Sequence, residues 1–460
     1  MTAYRDFLPS RSPPRSRRSC FRWRRNHTYP RQVPDGGCPN ANNAEGRNAL
    51  FTSGMLDSGV LQFLIERRLN LVERWVEQHA YRGYEPFDGL SSWFQPLTFG
   101  NLFAGRLLLQ SIRRCPVNLR PIMGVTPKES TKGRGYMAAG YLVRYRTTRN
   151  PDYLRKAESC LEWLDHHKAK NFAYHSWGNH FDFASRAGFY AKDNPILVWT
   201  SLIGFAYLDA YEQTGNARWL NIADSICHWI IDLPREKTNR GHCISYLPHV
   251  QISIHNSNLL GAAMLARITR YTGNRQYMDV ARSAIEYSCM RQRTDGSWWY
   301  GEDPKYRWID NFHTGYNLNG LACYIENSGN ERWSSNLQKG LDFYTRNFFE
   351  ENGRPKYYHD RPYPVDIQCA AQSIETLALF ANDDPARFRL AANVARWTIE
   401  NMQGDDGHFF YRIYPLLKVK TPMLHWAQAT MYKALALLLS HLVGKRALSN
   451  LVPEFGAEAT

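Results

Sequence analysis

The stretch YEQTGNARWLNIADSICHW, residues 211–229, holds the phrase that decides the fold: Gly215 then Asn216, an aromatic at Trp219, and a second aromatic, Trp229, thirteen positions after the Asn. The phrase recurs. Copies begin at Asn150 (Tyr153, Trp163), Asn274 (Tyr277, Tyr287), Asn330 (Trp333, Phe343) and Asp384 (Phe388, Trp397), and Gly273 and Gly329 precede two of them. Asn favours the N-cap of a helix and Gly the left-handed residue that ends one, so Gly-Asn marks a tight turn between two helices. The copies are spaced 66, 58, 56 and 54 residues apart, which suits a two-helix hairpin with a substantial loop. Such a unit cannot bury its apolar face alone and must stack in an array.

Working outward, helical periodicity predicts helices at roughly 58–80, 99–114, 134–148, 151–168, 195–213, 217–233, 255–271, 275–291, 310–326, 331–349, 366–381, 385–402 and 422–442. Strand signals are confined to short aromatic loops. Five complete hairpins run from 134 to 402, and a sixth inner helix, HWAQATMYKALALLLSHL (425–442), has no outer partner after it. The first helix, VLQFLIERRLNLVERWVEQH (60–79), can supply that partner. Closing first helix onto last gives six inner and six outer helices, an all-α (α/α)6 toroid without exposed apolar ends. The inner helices are the less polar, as burial on most sides requires. All long outer-to-inner loops then emerge at one end and line a shared bowl.

The chain has 460 residues, 43% of them hydrophobic, and a formal net charge of +15. Nine Arg lie between Arg5 and Arg31 against the single Asp6, so residues 1–54 read as a disordered basic arm, 55–445 as the toroid and 446–460 as a flexible tail. The arm lacks the apolar segment of a secretory signal; a transit peptide, or a true start at Met55, would also account for it. Basic tails are mostly solvated chains, so nucleic acid is not an expected partner. No run of eighteen apolar residues is present, which excludes a transmembrane helix of ordinary length. Nine Cys without CxxC spacing argue against a disulfide framework or a zinc knuckle and predict reduced thiols in a cytoplasm. No metal or other cofactor is implied, and the sequence leaves the oligomeric state open.

Functional side chains concentrate in the long loops and at the inner-helix starts. The segment QRTDGSWWYGEDPKYRWIDNFHTGY (292–316) is the densest, with Tyr300, Asp303, Arg307, Trp308, Asp310, Asn311 and His313. Asp310 sits at an N-cap and His313 on the first turn beside it. The equivalent positions of other units carry Lys132 and Arg134, Asp193, His255, Asp366 and His425, and the loops add Trp177, His180, Asp182, Tyr357, His359 and Tyr411. Trp faces with polar groups beneath them suit a sugar ring. The expected catalytic set is Asp310, His313, Asp303, Tyr300, His255, Tyr357 and His359. The expected substrate-binding set is Arg134, Trp177, His180, Asp182, Trp299, Arg307, Trp308, Asn311, Asp366, Tyr411 and His425. Paired carboxylates allow hydrolysis, whereas Tyr and His across a uronic acid allow C5 proton abstraction, hence lyase or epimerase chemistry. These alternatives stay open.

The phrases YEPFDGL (84–90), DGSWWYGED (295–303), WIDNFHTGY (308–316) and KTPMLHWAQA (420–429) resemble the six-hairpin glycosidase-like superfamily, and within it toroidal proteins of bacterial polysaccharide biosynthesis. The resemblance covers nearly all of the chain after residue 55. It implies a carbohydrate-active enzyme on a glycan that is expected to contain uronic acid. Toroids that hold a glycan without transforming it form a second reading. A third comes from QRTDGSW (292–298), which looks like the QW motif of terpenoid-cyclase and prenyltransferase toroids, although no DxDD box accompanies it.

Overall fold

Every Asn or Asp of the repeated phrase caps a helix in the structure, a computed structural model that describes residues 58–185, 188–382 and 384–449. The side-chain oxygens of Asn150, Asn216, Asn274, Asn330 and Asp384 accept the N–H two residues on at 2.8–3.1 Å. Gly215, Gly273 and Gly329 end the preceding helices with φ of 70°, 66° and 66°. In the first unit Arg149 takes the same place at φ 60°.

The described helices are α1 (Ser58–Gln78), α2 (Leu102–Arg114), α3 (Thr131–Thr148), α4 (Pro151–His166), α5 (Leu197–Thr214), α6 (Ala217–Asp232), α7 (His255–Thr272), α8 (Arg275–Cys289), α9 (Asn311–Ser328), α10 (Ser334–Asn347), α11 (Ile367–Leu379), α12 (Pro385–Met402) and α13 (Thr430–Ser449). The odd-numbered helices from α3 to α13 form the inner ring, each packed on the next, and α13 returns to α3. The outer ring comprises α1, α4, α6, α8, α10 and α12. Outer helices bury one stripe, as in α4 with Ala157, Cys160, Leu161 and Leu164, whereas α7 is buried on every side from His255 to Ala266. The described fold is thus the (α/α)6 toroid expected from the repeat, and short antiparallel hairpins such as Arg235–Thr238 with Gly241–Ile244 sit in its long loops. The predicted basic arm and most of the predicted tail lie outside the described residues.

One hydrogen-bond pattern hangs the long loops on the ring. The first N–H of an inner helix donates to a Tyr carbonyl in the loop after its own outer helix: Leu197 to Tyr246, His255 to Tyr300, Asn311 to Tyr357, Ile367 to Tyr411 and Leu424 to Tyr84, at 2.8–3.2 Å. Earlier in the same loops a glycine presses on the next outer helix. A Cβ at Gly241, Gly296, Gly353 or Gly407 would lie 2.2–2.8 Å from the backbone carbonyl oxygen of Ser283, Lys339, Asn393 or Leu71 respectively, and all four have positive φ. Gly407 on Leu71 of α1, and Leu424 on Tyr84, apply this same geometry across the chain ends, so α13 and α1 form the sixth hairpin. Tyr432 Oη also donates to Glu73 of α1 at 2.9 Å.

The QW-like phrase is part of this lock. Gln292 Nε2 donates to the carbonyls of Gly296 and Asn336, both at 2.9 Å, and buried Trp298 donates to Ser288 O. Gln403 repeats the arrangement on Gly407 and on Arg68 of α1. These residues perform a structural task that needs no terpenoid chemistry.

Two substitutions test the turns. Arg149→Gly relieves a non-glycine residue in the left-handed region and is expected to raise stability by about 0.5–1 kcal/mol. Gly296→Ala places a Cβ 2.2 Å from Lys339 O at φ 91°, and a loss of about 2 kcal/mol or more is expected. Urea midpoints at constant m check both.

Candidate active site

Loops and inner-helix starts bring aromatic rings into a closed circuit of contacts. In order these are Tyr300, His313, Phe312, Trp426, Phe87, Phe183, Tyr190 and Tyr246, with successive ring centroids 3.9–6.0 Å apart. A hydrogen bond between the Tyr246 and Tyr300 side chains completes the circuit. Edge-to-face and offset contacts of this kind favour a fixed arrangement over a fluid one.

Asp310 and His313 stand on one wall, at the start of α9. Asp310 is buried and caps the helix, its Oδ1 accepting the His313 backbone N–H at 3.0 Å. Its Oδ2 accepts Trp308 Nε1 at 2.8 Å and faces His313 Nδ1 at 2.7 Å. Both carboxylate oxygens are therefore engaged. A carboxylate on Nδ1 makes that nitrogen the donor and leaves Nε2 as the free proton acceptor. The His313 side chain keeps 20% of its surface exposed, so it can meet a ligand where Asp310 cannot. Tyr300 stacks on Trp308 at 4.5 Å, and burial, reinforced by Tyr246, pushes its hydroxyl well above the ordinary tyrosine value. Asn256, Trp298, Trp299, Thr314 and Asn317 complete the crevice.

The second wall comes from the two ends of the chain. Helix α13 is preceded by one π-helical segment, Leu424–Ala429, which presents His425 and Trp426. His425 Nδ1 faces Glu85 Oε2, and its N–H donates to Glu85 Oε1 at 3.2 Å. Lys132, on the first turn of α3, places Nζ 5.1 Å from the Trp199 ring centroid. Burial pushes Glu85 up to about 7, Lys132 down to about 7 and His180 down to about 4, while His425 falls well below its usual range. His425 Nε2 is buried without a hydrogen-bond partner among the described residues. The walls are joined below by Asp366, which caps α11, accepts Trp426 Nε1 at 2.9 Å and accepts Arg412 Nε at 2.6 Å. Sequence reading passed over Glu85 as a functional group, although YEPFDGL contained it.

Other residues singled out in the sequence are placed differently. Both ring nitrogens of His255 are occupied, Nδ1 by Ser288 Oγ at 3.1 Å and Nε2 by Glu302 at 2.7 Å. Trp177 is fully buried and donates to Leu164 O of α4, and Asn311 turns outward to Tyr344 and Ser373. Arg134 faces the outer layer, paired with Glu129 and lying 3.8 Å over the Tyr81 ring. His359 packs on Phe343 and shares a depression on the outer face with Lys339 and Arg346 of α10. Half-exposed Asp303 caps the turn Pro304–Tyr306 and Asp182 accepts the Lys192 N–H, so each carboxylate holds its own loop. Arg307 donates to Glu302 O, and Arg293 lies over the Trp299 ring at 4.4 Å. Tyr357 and Tyr411 are packed inward against Arg412, at 5.0 and 4.9 Å.

The Glu85–Lys132 pair predicts a pH signature. Glu85 rises from near 4.5 to about 7, so between those values the folded chain holds a proton that the unfolded chain has released, and stability falls as pH rises. Lys132 drops from near 10.5 to about 7, so above pH 7 the unfolded chain binds the extra proton and stability rises. The pair contributes least near neutrality, with limbs of up to about 1.4 kcal/mol per pH unit. Relative to the parent, Glu85→Gln should remove the acid limb and Lys132→Met the alkaline one in urea midpoints measured from pH 5 to 10.

Residues 168–373 match the family model of glycosyl hydrolase family 76. No curated protein sequence matches the chain. Among solved structures, cellobiose 2-epimerase from Spirochaeta thermophila is similar at TM-score 0.53 and 12% identity, over 70% of this chain and 89% of that one. The family 76 α-mannanase of Bacteroides thetaiotaomicron superposes at TM-score 0.52 and 13% identity, over 70% and 88%. An unsaturated glucuronyl hydrolase specific for heparin does so at 0.50 and 13%, over 68% and 86%. With six hairpins closed into a ring, the chain shares the (α/α)6 toroid fold of these sugar-acting enzymes, and over residues 168–373 it is similar to glycosyl hydrolase family 76.

Proposed function

We propose that the bowl binds a uronic-acid-containing glycan and that His313 moves a proton at the sugar carbon next to the carboxylate, giving epimerase or lyase chemistry. The observation that carries this reading is the Asp310–His313 pair: a buried, doubly hydrogen-bonded carboxylate holds Nδ1, and the ring it orients is the one exposed to the bowl. A carboxylate fixed by two N–H donors is poorly suited to give up a proton as an acid. It is well suited to stabilise the imidazolium that forms when His313 takes one.

An anionic sugar is supported by the field at this end of the toroid. All six inner helices direct their N-termini toward the bowl, and the macrodipole places positive partial charge there. The caps before α5, α7 and the π-helical segment are Ile196, Ile254 and Met423, which supply no side-chain acceptor to offset it. Polysaccharide biosynthesis or processing in a cytoplasm is the setting this reading assigns, on the strength of the sequence phrases and the unpaired cysteines. The cellobiose 2-epimerase and glucuronyl hydrolase likenesses are compatible with either proton transfer or hydrolysis.

A second reading, glycoside hydrolysis, is favoured by Glu85. A buried carboxyl held at about 7 is suited to protonating a leaving oxygen. Proton NMR in D2O with uronic-acid polysaccharides separates these outcomes: deuterium entering at C5 reports epimerisation, vinyl signals report elimination, and new reducing ends alone report hydrolysis. His313→Ala should lower turnover by about 10²- to 10⁴-fold with the far-ultraviolet spectrum unchanged. Asp310→Asn keeps a cap acceptor and should also fall, through loss of the ring's orientation. Undiminished turnover in His313→Ala sinks the assignment, and silence of all three signals points to a glycan-holding scaffold.

A further inference from the structure

The connection between α1 and α3 carries an apolar surface that the ring does not use. Helix α2 buries Gly105, Leu109 and Ile112 against the body, where Gly105 approaches Leu90 and Ala184. Its other face shows Leu102, Phe103 and Leu107 to solvent. The turns on either side add Trp93, Phe94, Leu97, Phe99, Val117 and Ile122, with Trp93 74%, Phe99 89% and Phe103 73% exposed. So many exposed large apolar side chains within one segment are unusual for a surface that faces only water.

Three features indicate what covers it. From Gly89 to Lys128 the chain contains no Asp or Glu and five cations, of which Arg106, Arg114 and Lys128 are exposed. The apolar groups protrude on separate tips: Phe99 stands at φ 48° on the end of a short turn, Trp93 lies fixed across Gly124, and Ile122 tops another turn. Tips with aromatic and Leu side chains interspersed with Arg match the interface of an anionic bilayer, where rings enter the acyl boundary and guanidinium groups meet phosphates. Among the described residues no helix is long and apolar enough to cross a membrane, so such a contact is with its surface.

We propose that the segment Trp93 to Ile122 docks the toroid onto a membrane surface containing anionic phospholipid. The segment links the end of an outer helix to the start of an inner one, which places it on the bowl rim. Docking there sets the mouth of the bowl beside the headgroups.

Co-sedimentation of the full chain with vesicles tests this without reference to catalysis. The protein should pellet with phosphatidylcholine–phosphatidylglycerol vesicles, bind pure phosphatidylcholine much more weakly, and be released by salt. Phe99→Ser combined with Phe103→Ser should lower the partition coefficient at least about tenfold. Arg106→Gln and Arg114→Gln should each lower it roughly fivefold on anionic vesicles. Arg155→Gln, which removes an exposed cation from α4 on the outer ring, should have no effect. All these positions are exposed, and an unchanged melting temperature confirms that the variants fold. Absence of pelleting with either vesicle, or equal pelleting of the Phe99/Phe103 variant, overturns the proposal. A dimer in light scattering that this variant converts to monomer assigns the surface to a second copy of the chain instead.

Discussion

The first N–H of each inner helix has no partner within its own helix, and the toroid depends on where that group goes. In five of the six units it donates to a Tyr carbonyl, at Tyr84, Tyr246, Tyr300, Tyr357 or Tyr411. An orphan donor buried at a helix start costs about 1–3 kcal/mol, so satisfying it with loop backbone fixes each loop in the same register. The backbone of each loop is thereby anchored at an equivalent position beside the start of its inner helix. The geometry of the candidate site is thus tied to helix capping.

Asp310 shows how closely the two tasks are joined. One oxygen ends α9 in the way any N-cap Asp would, and the other orients an imidazole. Glu85 and His425 form a second histidine–carboxylate pair on the second wall, yet with opposite exposure. There both partners are buried and Lys132 lies in the same desolvated region, so charge is suppressed on each group. His313 keeps an exposed edge through which it can meet a ligand, whereas burial favours the neutral form of both Glu85 and His425. Two sites of one composition are thereby given different chemistry by burial alone.

Much of the architecture was legible in the sequence because it rests on local rules. Asn caps and Gly in the left-handed region act within a turn, so the hairpins, the ring and the pairing of first helix with last followed from spacing. The helix starts at Pro151, Ala217, His255, Arg275 and Pro385 could be read directly. The site was legible only in part. Asp310 and His313 share a cap and its first turn, which sequence shows, but the direction of a side chain from a loop without periodicity is set by tertiary packing. Thus Arg134, one turn into α3, faces Tyr81 and Trp163 on the outer side, and Trp177 and His255 fill space between the layers. The π-helical segment before α13, which carries His425 beside Glu85, has no sequence signature.

Sharing the sixth hairpin between the chain ends also sets an order of events. Every other hairpin is complete once its own residues have left the ribosome. Helix α1, the first described, must wait for α13, the last described: the Tyr432–Glu73 and Gln403–Arg68 bonds span 359 and 335 residues. Until α13 is made, the buried stripe of α1, with Ile65, Leu69, Val72 and Val76, lacks the helix that covers it. The newborn protein is an open arc with a sticky end, and its final act of folding is to become a circle.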